Sequence, residues 1–73
     1  MILKTSEFET TRGHVIADLS YTDESGMFVT ALDGAYAKGT RIAESPMGSE
    51  QPLIEALMGK GVSEAEAIKF VTE

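Results

Sequence analysis

HVIADLSYTDESGMFVTALDG, residues 14–34, sets the architecture of this chain. Val15, Ala17, Leu19 and Tyr21 alternate with Ile16, Asp18 and Ser20, the period-two pattern of a strand with one buried face. The spacing predicts a strand from Arg12 or His14 to Tyr21. Thr22-Asp23-Glu24-Ser25-Gly26 interrupts the pattern with turn formers, and Met27 to Leu32 resumes it as a second strand. Asp33-Gly34 between Leu32 and Ala35 reads as a type I′ hairpin, because that turn needs positive φ at both central positions. A third strand would then return from Ala35 to about Glu44. A two-residue loop would pair Ala31 with Tyr36, Val29 with Lys38 and Phe28 with Gly39, the last marking a bulge or bend.

Upstream, Ile2, Leu3 and Phe8 fit neither period cleanly, but Thr10-Thr11-Arg12-Gly13 has the composition of a turn into the next strand. Ile2 to Phe8 is therefore expected as an edge strand. Downstream, Ser45-Pro46-Met47-Gly48 ends the sheet, since proline cannot donate to a ladder.

Ser49 to Glu73 carries start and stop signals for two short helices. Ser49 can cap the first, with Glu50 favourable at its positive end and Pro52 still in the first turn. Leu53, Ile54, Leu57 and Met58 form its apolar stripe, and Gly59 or Gly61 can take the left-handed conformation that stops it. Ser63-Glu64-Ala65-Glu66 fits a capping box, with Val62 and Ala67 placed as a hydrophobic staple. Ala67, Ile68, Phe70 and Val71 form the second stripe. Each helix is too short to stand alone in water, so both must pack on the sheet or on a partner.

Leu57 to Ser63, followed by Ala65, Ala67 and Ile68, locally resembles the first-helix, loop and second-helix region of ubiquitin-associated domains. Their loop reads Met-Gly-Phe/Tyr-Ser, of which Gly61 and Ser63 match, while Lys60 and Val62 replace the methionine and the aromatic residue. No ubiquitin-binding residue carries over on that match.

The chain of 73 residues has room for one small α+β domain with one core. Without cysteine, neither disulfides nor thiolate metal sites can reinforce that core, so pairing with a second copy or with a partner is expected. The opening Met1-Ile2-Leu3-Lys4 turns polar at once, unlike a signal peptide or membrane span, and predicts a soluble, cytoplasmic protein that does not enter a membrane. Twelve acidic against six basic side chains give a net charge of -6, opposite in sign to the footprint of a nucleic-acid binder. No direct nucleic-acid binding is expected.

His14 is the single histidine, with no cysteine, second histidine or evident carboxylate cluster beside it in the sequence, so an edge position is expected rather than a catalytic base. Asp23-Glu24-Ser25 lacks the acidic spacing of a calcium loop and reads as a polar turn. Gly59-Lys60-Gly61 lacks phosphate-loop spacing, and Glu64 and Glu66 crowd the same helix end. No catalytic residue, metal or cofactor is expected.

The expected fold is α+β: a three- or four-stranded antiparallel meander followed by a C-terminal helical hairpin packed on one sheet face. Two short helices can cover one face of a small sheet, whereas the strand from Met27 to Leu32 is apolar on both. Phe28 and Leu32 point one way, and Met27, Val29 and Ala31 the other. The expected partner-binding surface combines the acidic residues Asp18, Asp23, Glu24 and Asp33 with Met27, Val29 and Tyr36 on the uncovered face. The expected function is a small, acidic, non-enzymatic protein-binding module acting as inhibitor, adaptor or accessory subunit. It would dock on a basic, nucleic-acid-binding surface of a target, in the manner of phage-type anti-defence inhibitors. The alternative is a homo-oligomeric assembly protein, such as a capsid-associated component, joined through the exposed sheet face or an edge strand.

Overall fold

Nine residues from Ile2 to Thr10 form the first strand (β1), and the computed structural model, which describes all of residues 1–73, pairs it with the alternating segment next in sequence. That segment is β2 (Gly13–Thr22), followed by β3 (Gly26–Gly34) and β4 (Arg41–Ser45), and the four form one antiparallel sheet in the order β1-β2-β3-β4. Two C-terminal helices, α1 (Glu50–Gly59) and α2 (Glu64–Thr72), pack against it. The fold is α+β, as expected, with an edge strand at the N-terminus. No helix is long and apolar enough to cross a membrane.

Side chains close the first hairpin where its sequence is polar. Arg12 N donates to Thr10 Oγ1 at 3.1 Å, and Thr10 Oγ1 donates to Gly13 O at 2.9 Å. This fixes Thr10 opposite Gly13 and therefore Phe8 opposite Val15, Ser6 opposite Ala17 and Lys4 opposite Leu19. β1 lacks a clean period because Phe8 is its one buried side chain; pairing with β2, rather than its own pattern, makes it a strand.

The second hairpin closes at Thr22 and Gly26, which places Leu19 opposite Val29 and Ala17 opposite Ala31. The third connection departs from expectation. Asp33-Gly34 is not the centre of a two-residue hairpin: both residues still belong to β3, opposite Ile16 and Val15. Gly34 has φ +103, and a Cβ there would lie 3.0 Å from Val15 Cα, so its conformation serves close approach to β2. Ala35 N donates to His14 O at 2.9 Å and carries the chain further along the same strand.

Residues 35–40 form the actual connection. It is tied back to Ala31 by Gly39 N donating to Ala31 O and Ala31 N donating to Thr40 O, both at 2.8 Å. Val29 consequently faces Ala43, not Lys38, and Phe28 faces Glu44, not Gly39. The register shift between Val29 and Thr30 leaves Ile42 as an extra residue in β4, and both Ile42 and Ala43 are buried.

Ser49 occupies the N-cap position of α1 but its side chain makes no capping bond. Ser63 does cap α2: the Glu66 amide donates to Ser63 Oγ at 3.2 Å, while the Glu66 carboxylate accepts from that hydroxyl at 3.3 Å. Val62 and Ala67 are buried where the staple was expected. Between the helices Gly61 has φ +93, and a Cβ there would lie 2.7 Å from the Thr11 amide nitrogen. That glycine lets the loop reach the first hairpin, where Thr11 N donates to Lys60 O at 3.0 Å.

The helix stripes are narrower than the sequence suggested. Leu53, Ile54 and Leu57 of α1 and Ala67, Phe70 and Val71 of α2 are buried, while Met58 and Ile68 lie exposed at the flanks. The core joins these residues to Phe8, Val15, Ala17, Leu19, Val29, Ala31, Ile42 and Ala43. Phe8 and Phe70 meet edge to face with ring centroids 5.2 Å apart.

Candidate partner-binding face

Because successive strand residues point to opposite faces, the register that buries Val15, Ala17 and Leu19 turns Ile16, Asp18 and Ser20 away from the helices. The helix-free face can be read in cross-strand rows. One row runs Ile2, Ser20, Phe28, Glu44, and the next runs Thr5, Asp18, Thr30, Arg41. A third runs Glu7, Ile16, Asp33, and the last joins Glu9 to His14.

Ile16, Phe28 and Leu32 are half-buried and lie outside the helix-covered core, and the row Thr5, Asp18, Thr30, Arg41 separates Ile16 from Phe28. The apolar side chains of this face are thus interspersed with the carboxylates Glu7, Glu9, Asp18, Asp33 and Glu44. The Arg41 guanidinium lies 4.0 Å from the Phe28 ring centroid and 3.6 Å from Glu44, which occupies the one arginine of the face. Other cations sit elsewhere: Lys4 lies over Phe70, Arg12 over Tyr36, Lys38 is in the connection of residues 35–40, and Lys60 and Lys69 belong to the helical hairpin. Five of the twelve carboxylates therefore lie on the helix-free side, where Arg41 is the one lysine or arginine, and five more belong to residues 50–73.

Asp18 accepts from Thr5 Oγ1, and Asp33 accepts from the Gly34 amide at 2.8 Å. His14 stands between two glutamates at the end of the face. Its Nδ1 bonds Glu9, and its Nε2 lies 3.4 Å from Glu7 Oε2. The Glu9 hydrogen bond, and then that of Glu7, raise the His14 pKa above its ordinary 6.5, because both favour the imidazolium. His14 is exposed at the start of β2 as expected, but the hairpin gives it carboxylate neighbours that linear sequence did not show. No group of three His, Cys, Asp or Glu side chains converges as a metal site.

The expected surface residues divide among three places. Asp18 and Asp33 lie on the open face; Asp23 and Glu24 are exposed in the turn after β2, where Ser25 N donates to Thr22 Oγ1. Val29, expected on the uncovered face, is instead fully buried beneath the helices. Met27 and Tyr36 are half-buried against that same core, Tyr36 in the connection of residues 35–40 rather than in a strand. The reason is register: Leu19 faces Val29, so whichever face hides Leu19 hides Val29 as well. Phe28, Leu32, Ile16, Glu7, Glu9 and Glu44 take the place of Met27, Val29 and Tyr36 on the open side. The short turn after β2 was the available signal, since closing it on Thr22 and Gly26 sets that pairing.

Neither the family models, the curated proteins nor the solved structures contain a match to this chain.

Proposed function

We propose that this chain is a non-enzymatic protein-binding module that docks its open sheet face on a basic protein surface, acting as an inhibitor, adaptor or accessory subunit. The observation that carries this reading is the composition of one face, where half-buried Ile16, Phe28 and Leu32 are interspersed with Glu7, Glu9, Asp18, Asp33 and Glu44. Apolar side chains supply contact area that excludes water, while an excess of one charge steers encounter and selects a partner of opposite sign. A groove lined by lysine and arginine, of the kind that holds nucleic acid, has the complementary chemistry.

The test is affinity capture from lysate with partners identified by mass spectrometry, followed by association kinetics with the purified partner. Asp18→Lys with Asp33→Lys should slow association by about tenfold or more at low salt and little at high salt. An unchanged on-rate at low salt would count against docking through this face.

A further inference from the structure

The sheet has two free edges, and they differ. β4 is five residues long, carries the Ile42 bulge and has α1 packed beside it, devices that blunt an edge against strand addition. β1 is nine residues long and pairs with β2 in unbroken register from Lys4 to Thr10, without proline and with a shift only near Leu3. Its outer backbone groups have no strand beside them.

The midpoint of Ile2–Thr10 is Ser6, and a twofold axis through that point, perpendicular to the sheet, gives full overlap with a second β1. Such pairing sets Lys4 opposite Phe8 of the copy and Thr5 opposite Glu7, with Leu3 and Ile2, beyond the register shift, lying beside Glu9 and Thr10. No like charges face each other directly. A register centred on Glu7 would oppose two glutamates, and one centred on Thr5 would leave Thr10 unpaired. Ser6, small and half-buried, opens on a cleft of about 370 Å³ between β1 and α2, whose rim mixes Lys4 and Lys69 with Glu66 and Glu73.

The helix layer accommodates the copy. Four strands spaced about 4.8 Å apart and two helices about 10 Å wide have nearly equal widths, so edge pairing brings α2 beside α2 of the copy at about 8–10 Å, an ordinary helix packing distance. We propose that a second copy of this chain pairs antiparallel along β1, Ser6 facing Ser6 of the copy, to give one eight-stranded sheet with the helices on one side. The exposed Leu3 gains cover in that arrangement, and the open acidic faces of the two copies become continuous.

The absence of native cysteine makes the register directly testable. Opposed residues on antiparallel strands have Cβ atoms about 4.5–5.5 Å apart, close enough for a small adjustment to form a disulfide. Ser6→Cys should therefore cross-link to a covalent dimer under mild oxidation. Glu9→Cys should not, because its counterpart would lie about 20 Å away along the strand. Equal cross-linking of the two variants overturns the register, and a monomer mass for the unmodified chain in sedimentation equilibrium, at every accessible concentration, overturns the pairing itself.

Thr5→Pro, which removes an N–H that points away from β2, should yield a monomer with an unchanged circular dichroism spectrum; a folded variant that remains a dimer also overturns the edge contact. If that variant unfolds, the two cysteine variants still decide. Glu7 of each copy would lie about 7–8 Å from the other on the diagonal, so salt should tighten this dimer. Docking on a basic partner should weaken with salt, which keeps the two associations apart.

Discussion

The two faces of the sheet are built from the same strands and differ by one step of the strand period. Val15, Ala17, Leu19, Val29 and Ala31 are buried under the helices, whereas Ile16, Asp18, Phe28 and Thr30 stand one residue away and face outward. The covered face is almost entirely apolar where it is buried and holds the domain together. The open face mixes apolar and acidic groups, so it contributes less to folding and more to what the surface can meet. Residue type alone does not separate them, because Phe28 is as apolar as Val29. What separates them is which side the helical hairpin closes over.

The sharpest way to break the comparison is to place the same charge on each side of β3. Val29→Asp should lower the urea midpoint steeply: an unpaired buried carboxylate costs about 3–5 kcal/mol, a large share of the total of about 4–11 kcal/mol for a domain of this size. Phe28→Asp should keep the far-ultraviolet circular dichroism spectrum and cooperative melting, while abolishing capture of a basic partner. Equal loss of fold in both variants would show that the open face belongs to the core.

A smaller contrast comes from truncation on β2. Leu19→Ala should cost about 2–5 kcal/mol in urea unfolding, and its neighbour Ile16→Ala below about 1.5 kcal/mol, because Ile16 leaves only part of its surface in contact. Reversal of that order would mean that the faces had been assigned to the wrong sides.

Ser45 sharpens the comparison from within the covered side. Its side chain is fully buried and Oγ has no hydrogen-bond partner. Ser45→Ala should be neutral or stabilise by up to about 1 kcal/mol, since it removes a desolvated hydroxyl. A loss of stability on the same scale would mean that the hydroxyl is satisfied.

The smallest effect belongs to His14 on the open face. Its folded-state pKa is raised, first by Glu9 and then by Glu7, so its stabilising contribution is fully present below about 6.5 and fades as pH rises through the higher folded value. The urea midpoint of the native chain should fall across that window, relative to His14→Gln. Parallel profiles would separate His14 from stability altogether. Protonation also removes one unit of negative charge from the face, so the same titration should slow docking on a basic partner at the acid end.

Local chemistry made much of this fold legible. The alternation in β2, the Ser63 cap of α2 and the turn formers at residues 22–26 each depend on neighbours in sequence, and each appears where the pattern placed it, though the Glu66 carboxylate takes the Ser63 hydroxyl and not the Ser63 amide. The Asp33-Gly34 reading failed because a positive-φ glycine serves either a turn or a close approach between strands, and only the neighbouring strand distinguishes them. The candidate site was half legible: Asp18 and Asp33 were found from composition and position, while Glu7, Glu9 and His14 come together only once β1 lies against β2. Met58 and Ile68 show the same limit, since a helix stripe states which residues can be buried and the facing surface selects how many are.

The sequence by itself determined the elements, their order and the net charge of -6, because periodicity, caps and composition act through adjacent residues. Tertiary structure alone decided which face of β3 the helices cover and where the third connection turns. Both depend on register, and a one-residue change of register exchanges every inward side chain for an outward one. The closing of the helical hairpin over Val29 rather than Phe28 is therefore what left Phe28 among the carboxylates of the open face.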